Sequence, residues 1–215
     1  MTEPIPQNRM RLSLKTWIIL LGLGVIAVYF LSDLIFNNSQ YLQSIQKVRR
    51  DKNREFKGRN SPLDEALRPK FDSLDYYPTN PDYKFLADLE VYNNPETYPM
   101  QMTGGEPEAY LKFGKATFEV DDKPYELTLF KKVNEEGTPK LFVPFTDRTN
   151  GFETYGGGRF LDLPMPGPNA AGIEVDFNKA YNPFCAYNAE YNCPVPPREN
   201  RLPIKIPAGE KNFTK

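Results

Sequence analysis

The chain begins with a long apolar run, passes through a charged stretch, and ends in short alternating runs separated by turn residues. Residues 17–31 contain no charged, amide or aliphatic hydroxyl side chain, and residues 17–36 are broken only by Ser32 and Asp33. A helix of that length spans roughly 30 Å, one hydrocarbon core. The pattern predicts a transmembrane helix with Asp33 near one end and Trp17 and Tyr29 as interface anchors. No small-residue cleavage site and no lipobox cysteine follows, which favours an uncleaved signal anchor over a removed signal peptide. Arg9, Arg11 and Lys15 precede the span, while the ten residues after Phe36 carry no positive charge. That bias places the N-terminus inside and the main domain outside the cytoplasm, on the periplasmic side. Gly22 and Gly24 are not in GxxxG spacing, so a passive anchor is the simpler reading.

In residues 39–57 the apolar positions Tyr41, Leu42, Ile45 and Val48 recur at helical spacing, with Ser39 as a candidate cap and charges crowding the end. Ser61, Pro62 and Asp64 are start signals for a short helix over 61–67 that stops before Pro69. From Lys84 the period changes. Runs at 84–92, 115–120, 125–133, 140–145, 159–163 and 173–177 are short and rich in Phe, Val, Leu, Tyr and Thr. Ala116, Phe118 and Val120 alternate with Thr117 and Glu119, giving one buried and one wet face. Residues 121–124 and 134–139 join successive runs at hairpin distance. Short strands with short connections predict a mainly β fold, an antiparallel meander forming a sandwich or partly closed barrel. The expected organisation is a cytoplasmic tail (1–16), a signal anchor (17–36), a helical stalk or leader (37–83) and a β-rich extracytoplasmic domain (84–215).

Composition narrows the chemistry. The 215 residues carry a formal net charge of −1, which gives no nucleic-acid footprint. The 21 prolines crowd the second half and argue for rigid loops over long helices there. Histidine is absent. That excludes Ser-His-Asp and Cys-His nucleophile systems, HExxH zinc sites and any histidine base. Chemistry would have to run on carboxylates, Tyr, Lys, Cys or an oxygen-ligated metal.

Candidate residues concentrate after Phe145. Asp147 precedes the Asn150-Gly151 turn signal, and Tyr155, Gly156, Gly157, Gly158 and Arg159 follow. A glycine run can cradle an anion, but this one leads into a strand, so a tight loop at a strand start is the preferred reading. Asp176, Asn178, Tyr181 and Asn182 precede Pro183, and Glu199, Asn200, Glu210 and Lys211 lie further on. Cys185 and Cys193, outside the cytoplasm, are expected to form a disulfide closing a short loop, worth roughly 2–3 kcal/mol. Their spacing and the lack of His speak against zinc.

The runs TDRTNGFETYGGGRFLDL, DFNKAYNPFCAYN and CPVPPRENRL, with AGEK near the end, resemble the family called domain of unknown function 1684. RRDKNREFK, SPL and KFGKATFEV upstream fit the same pattern, so the likeness covers about Gln40 to Lys211. The resemblance implies a bacterial source and an exported or lipoprotein-like setting. It implies no activity.

Two functions follow as expectations. One is a membrane-anchored binding or accessory subunit that touches the bilayer through one helix and another membrane or envelope protein through its domain, without nucleic acid. Its binding surface would join Tyr155, Gly156, Gly157, Gly158 and Arg159 to Asn178, Tyr181, Asn182, Asn200 and Lys211. The alternative is a His-independent glycoside or ester hydrolase drawing on Asp147, Asp162, Asp176, Glu199 or Glu210, which needs two carboxyl groups about 5–10 Å apart across a cleft. Arg159 paired with Asp176 or Glu199 would instead be structural if sealed. No cofactor or metal is expected, with calcium on Asp147, Asp162 and Asp176 as the alternative.

Overall fold

A computed structural model describes residues 13–133 and 137–214, without the side chains of 14, 27, 30–35 and 37. The N-terminal tail with Arg9 and Arg11, and residues 134–136 of the second expected hairpin, lie outside the described residues. The chain falls into two compact units, Met1–Ser44 and Ile45–Lys215.

Helix α1 (Leu14–Lys57) is continuous, so Ser39 is not a cap. Its hydroxyl donates to the carbonyl of Phe36 at 2.8 Å, inside the helix. The cap is Ser13, whose Oγ accepts from the N–H of Thr16 at 3.3 Å. Trp17, Ile18, Leu21, Val25 and Val28 are exposed. Among the described residues no helix is long and apolar enough to cross a membrane, and the expected span falls partly on undescribed side chains (27 and 30–35).

In the second unit the expected helix over 61–67 does not form. Ser61 Oγ accepts from the N–H of Leu63 at 3.2 Å, and the N–H groups of Leu67 and Arg68 both reach the carbonyl of Asp64. One turn results, and a 3-10 turn at Arg68–Lys70 takes in Pro69. Proline at both ends leaves too few residues for a longer helix.

Among the described residues seven strands follow: β1 (Lys84–Val91), β2 (Thr97–Met100), β3 (Glu108–Val120), β4 (Lys123–Lys132), β5 (Lys140–Phe145), β6 (Arg159–Pro164) and β7 (Gly172–Asp176). They build one antiparallel sheet in the order β6-β5-β4-β3-β1-β7, with β2 also paired to β3. The fold is therefore mainly β, a single curled half-barrel rather than two stacked sheets. The β3–β4 hairpin closes through Asp121 and Asp122, with φ of 51° and 58°, the paired positive values of a type I′ turn.

Strand β3 contributes to two faces because its register shifts between Lys112 and Gly114. On the C-terminal side Ala116 opposes Leu127, and both are buried in the main core. On the N-terminal side Tyr110 opposes Lys132 and Lys112 opposes Phe130, and Tyr110 and Phe130 belong to a separate cluster on the other face. An inserted residue reverses the in–out alternation of a strand, and here it splits β3 between the two faces. Gly114 is required at this point, since a Cβ there would lie 2.3 Å from the carbonyl oxygen of Glu90 on β1.

The main core joins Leu127, Leu129, Leu141, Val143 and Phe145 to Leu161, Val175 and Phe177. Leu202, Ile206 and Ala208 of the C-terminal segment complete it. Strand β6 is bridged at Phe160 to Tyr181, so irregular chain rather than a further strand runs along that edge.

Candidate functional site

The polar residues singled out by the sequence separate into a sealed interior and an open cleft. In the interior, Arg159 begins β6 directly opposite Phe145, the last residue of β5. That register brings its guanidinium to Asp147, two residues beyond β5, with Nη2 2.6 Å from Oδ2 and both side chains fully shielded. Arg159 therefore pairs with Asp147, not with Asp176 or Glu199. Its guanidinium also donates to the carbonyls of Ile206 (2.9 Å), Ala208 and Glu210 (3.4 Å). Asp147 Oδ1 accepts from the N–H groups of Thr149 (2.7 Å) and Ile206 (3.3 Å). The pair fastens the C-terminal segment to the sheet.

The loop from 147 to 158 is held as tightly. Asn150 Nδ2 donates to the carbonyl of Tyr155 at 2.7 Å, and the Thr149 and Thr154 hydroxyls lie 2.8 Å apart. Gly158 has φ +95°, and a Cβ there would lie 2.7 Å from the Phe145 carbonyl oxygen. Its N–H donates to Tyr155 O at 3.2 Å. Gly158 lets the loop pack on its own domain, while Gly156 and Gly157 are exposed.

Glu210 is a second hub. Its Oε2 lies 2.7 Å from Lys52 Nζ of α1, and its Oε1 accepts from Asn182 Nδ2 at 3.0 Å and from the Tyr187 hydroxyl. Burial first, and the facing Glu210 carboxylate second, hold the Tyr187 phenol well above its usual range. Asn182 Nδ2 also donates to the carbonyl of Lys211 at 2.8 Å, while the Lys211 ammonium pairs with Asp75 at 3.2 Å.

Asn200 works as backbone stitching. Strands β4 and β5 pair at Phe130 and Phe142. Beyond that point Asn200 Nδ2 donates to Thr128 O and Pro144 O, each at 2.9 Å, and its Oδ1 accepts from Thr128 N at 2.7 Å. Asn178 does the same for Asn80, accepting from its N–H at 2.9 Å and donating to its carbonyl at 2.8 Å. Asp176 caps the turn by accepting from Asn178 N at 3.0 Å and lies 3.4 Å from Lys179 Nζ. Glu199 pairs with Lys112 at 2.8 Å, half-exposed.

The open site lies on the sheet's other face. A cleft of about 380 Å³ is lined by Tyr110, Phe142, Phe160, Tyr181, Tyr191 and Asp162, among others. Phe142 and Phe160 meet edge to face with centroids 4.8 Å apart, and Phe160 and Tyr181 do so at 5.9 Å. Two ion pairs supply polarity. Lys140 lies 2.7 Å from Asp162, which also accepts from the Tyr181 hydroxyl at 3.1 Å, and Lys132 lies 2.5 Å from Glu108. Asp162 Oδ1 is shielded and has no hydrogen-bond partner among the described residues.

Of the candidates named from sequence, Asp162 and Tyr181 line this cleft, joined by Cys193. Asp147, Asp176 and Glu210 are buried in separate networks. The three aspartates considered for calcium each meet different partners, and among the described residues no group of three or more His, Cys, Asp or Glu is placed to hold a metal. Sequence reasoning missed Lys52, Glu108, Tyr110, Lys132, Lys140, Phe142 and Phe160. The signal was available only through register, which sets Phe142 opposite Asp162 and Tyr110 opposite Lys132.

The cysteines are free thiols in this structure, Cys185 partly exposed and Cys193 buried. The N–H of Cys185 donates to Cys193 Sγ at 3.1 Å.

The fold and site define a half-barrel domain fastened by a buried arginine–carboxylate pair, with an aromatic cleft on its outer face. The chain belongs to the family of proteins of unknown function designated DUF1684, whose model matches residues 69–211. The match begins well after Gln40, where the sequence likeness was placed. The chain is similar to an uncharacterized protein of Haloarcula marismortui solved by solution NMR, at 34% identity and a TM-score of 0.65, over 81% of this chain and 96% of that one. None of the curated proteins matches it.

Proposed function

We propose that this chain is a binding or accessory module, tethered to a membrane by residues 17–36, that takes its ligand in the cleft bounded by Phe142, Phe160 and Tyr181. The observation that carries the reading is the division of the polar groups. Arg159, Asp147, Asn182, Asn200 and Glu210 are spent on holding the fold, while the aromatic cleft stays open beside Asp162. Its volume suits a small ligand, and an aromatic floor with a few charged groups gives orientation. Such a floor favours a ligand with a flat apolar face and hydrogen-bonding edges. The hydrolase alternative rests on Asp162 and Glu108 sharing this cleft, but each faces a lysine.

Titration with a panel of neutral oligosaccharides and short peptides, followed by NMR, tests the cleft. Saturable shifts at Tyr110, Phe142, Phe160 and Tyr181 are expected, and Asp162→Ala should weaken binding roughly tenfold, the scale of one charge-assisted hydrogen bond. Saturable binding indifferent to Asp162→Ala would refute this placement. Turnover of a nitrophenyl glycoside or ester, lost in the same variant, would replace the binding reading with the hydrolase.

The tether draws support from the apolar composition of residues 17–31 and from the exposure of Trp17, Ile18, Ile19, Leu20 and Leu21. A fully apolar helix surface is suited to lipid. In this reading the domain faces the periplasmic side. The full chain is expected to stay with membranes through alkaline carbonate extraction, and a chain lacking residues 1–44 to be released. Retention of the shortened chain would show that another surface does the anchoring.

A further inference from the structure

We propose that Cys185 and Cys193 form a thiol–disulfide exchange pair, in which Cys185 attacks an exposed disulfide and Cys193 resolves the mixed disulfide. The proposal does not rest on ligand binding in the aromatic cleft, although Cys193 also lines that cleft. It goes beyond a disulfide that only closes a loop, because the two sulfurs occupy unequal places.

Cys185 opens onto a recess of about 300 Å³ lined by Thr103, Gly104, Tyr155, Glu190, Tyr191 and Asn192. Cys193 is not on that recess; it lines the aromatic cleft and is only 4% exposed. The backbone N–H of Cys185 donates to Cys193 Sγ at 3.1 Å, and the Tyr155 hydroxyl reaches Cys185 Sγ at 3.9 Å. An incoming disulfide at the recess therefore meets Cys185 first, with Cys193 Sγ held against the Cys185 backbone.

The backbone keeps that arrangement. The N–H of Cys193 donates to Thr103 Oγ1 at 3.0 Å, and its carbonyl accepts from the N–H of Thr103 at 2.8 Å. On the other side, the N–H of Asn188 donates to Phe184 O at 3.1 Å and the N–H of Glu190 to Asn188 Oδ1 at 2.9 Å. Both ends of the intervening segment are folded, so the sulfurs are placed to join without refolding the loop.

The groups facing Cys185 are the Cys193 thiol, the Tyr155 hydroxyl and, on the recess wall, Glu190. The Cys193 hydrogen bond, opposed by burial and assisted by Tyr155, lowers the Cys185 thiol to about 7. The same hydrogen bond, and burial after it, raise Cys193. The thiolate is the nucleophile, so the partly exposed cysteine is the reactive one near neutral pH.

The exchange balances with a disulfide RS–SR as oxidant. The Cys185 thiolate forms a bond to one sulfur, the S–S bond breaks, and RS⁻ leaves and takes up a proton. Cys193 then gives up its proton and attacks Cys185 Sγ, releasing the second RS⁻, which is protonated in turn. Two thiols of the protein are oxidised and one RS–SR is reduced to two RSH.

The test uses the full chain, reduced, in detergent micelles. With limiting iodoacetamide, Cys185 should be alkylated first, at a rate that rises with pH and has its midpoint near 7. Oxidised glutathione should give a transient adduct on Cys185 that resolves to the internal disulfide, and Cys193→Ser should trap the adduct. Equal alkylation of both thiols, or a midpoint at the ordinary thiol value of about 8.5, would overturn the proposal. So would an internal disulfide that stays closed at every glutathione ratio, which is the behaviour of a permanent staple. If Cys193→Ser does not fold, the alkylation profile of the unsubstituted chain decides alone.

Discussion

Replacing Asp147 by alanine is expected to destabilise the domain by roughly 3–5 kcal/mol, the cost of stripping one partner from a sealed ion pair. The guanidinium of Arg159 would remain buried among the carbonyls of Ile206, Ala208 and Glu210 with no counter-charge. For a domain of this size the melting temperature should fall by about 10 °C or more. Urea and thermal denaturation of the variant read the effect directly. The double replacement Asp147→Leu with Arg159→Met should recover part of the loss, since it removes both buried charges together. A single-variant loss below about 1 kcal/mol would show that the pair does not hold the C-terminal segment in place.

The second large effect is expected at Glu210. Alanine there removes the acceptor of the Lys52 ammonium, the Asn182 amide and the Tyr187 hydroxyl at once. Losing a buried, charge-assisted acceptor shared by three residues should cost roughly 3 kcal/mol. The consequence is directional, because Lys52 belongs to the part of α1 that lies within the domain. Phe56, one turn on, packs edge to face on Tyr187 at 4.7 Å. Hydrogen exchange in residues 45–57 of Glu210→Ala should therefore rise more than exchange in β3 and β4. Uniform acceleration across the sheet would mean that Glu210 stabilises the whole domain and not this attachment.

Much of the sheet was legible because its strands obey simple alternation. Five of the six runs read from sequence coincide with β1, β4, β5, β6 and β7 to within a residue or two, and 115–120 is the second half of β3. The first half of β3 escaped because the extra residue near Gly114 breaks the two-residue period that identifies a strand. Strand β2 escaped because it is four residues long and contains Pro99. Helix α1 was read in two pieces because Ser39 resembles a cap, although its hydroxyl bonds back within the helix.

The candidate site was legible as a list of residues but not as an arrangement. Asp147 and Arg159 were both named, yet their pairing depends on the β5–β6 register, which composition does not carry. Tyr110, Phe142 and Phe160 look like core aromatics in the sequence. They form a cleft because each stands on the face of its strand opposite the main core. Polar residues in the turn-rich segment drew attention as a binding surface, whereas Asn178, Asn182 and Asn200 replace backbone pairing where regular ladders stop.

The extra residue in β3 also divides the demands on a single strand. Upstream of it, Tyr110 and Lys112 look outward; downstream, Ala116 and Phe118 look inward. One continuous strand thus belongs to two surfaces under different demands. Positions 110 and 112 belong to the face that packs with Met100 and Phe130, and positions 116 and 118 to the main core. A single inserted residue lets one strand wall the main core with one half and the outer aromatic cluster with the other.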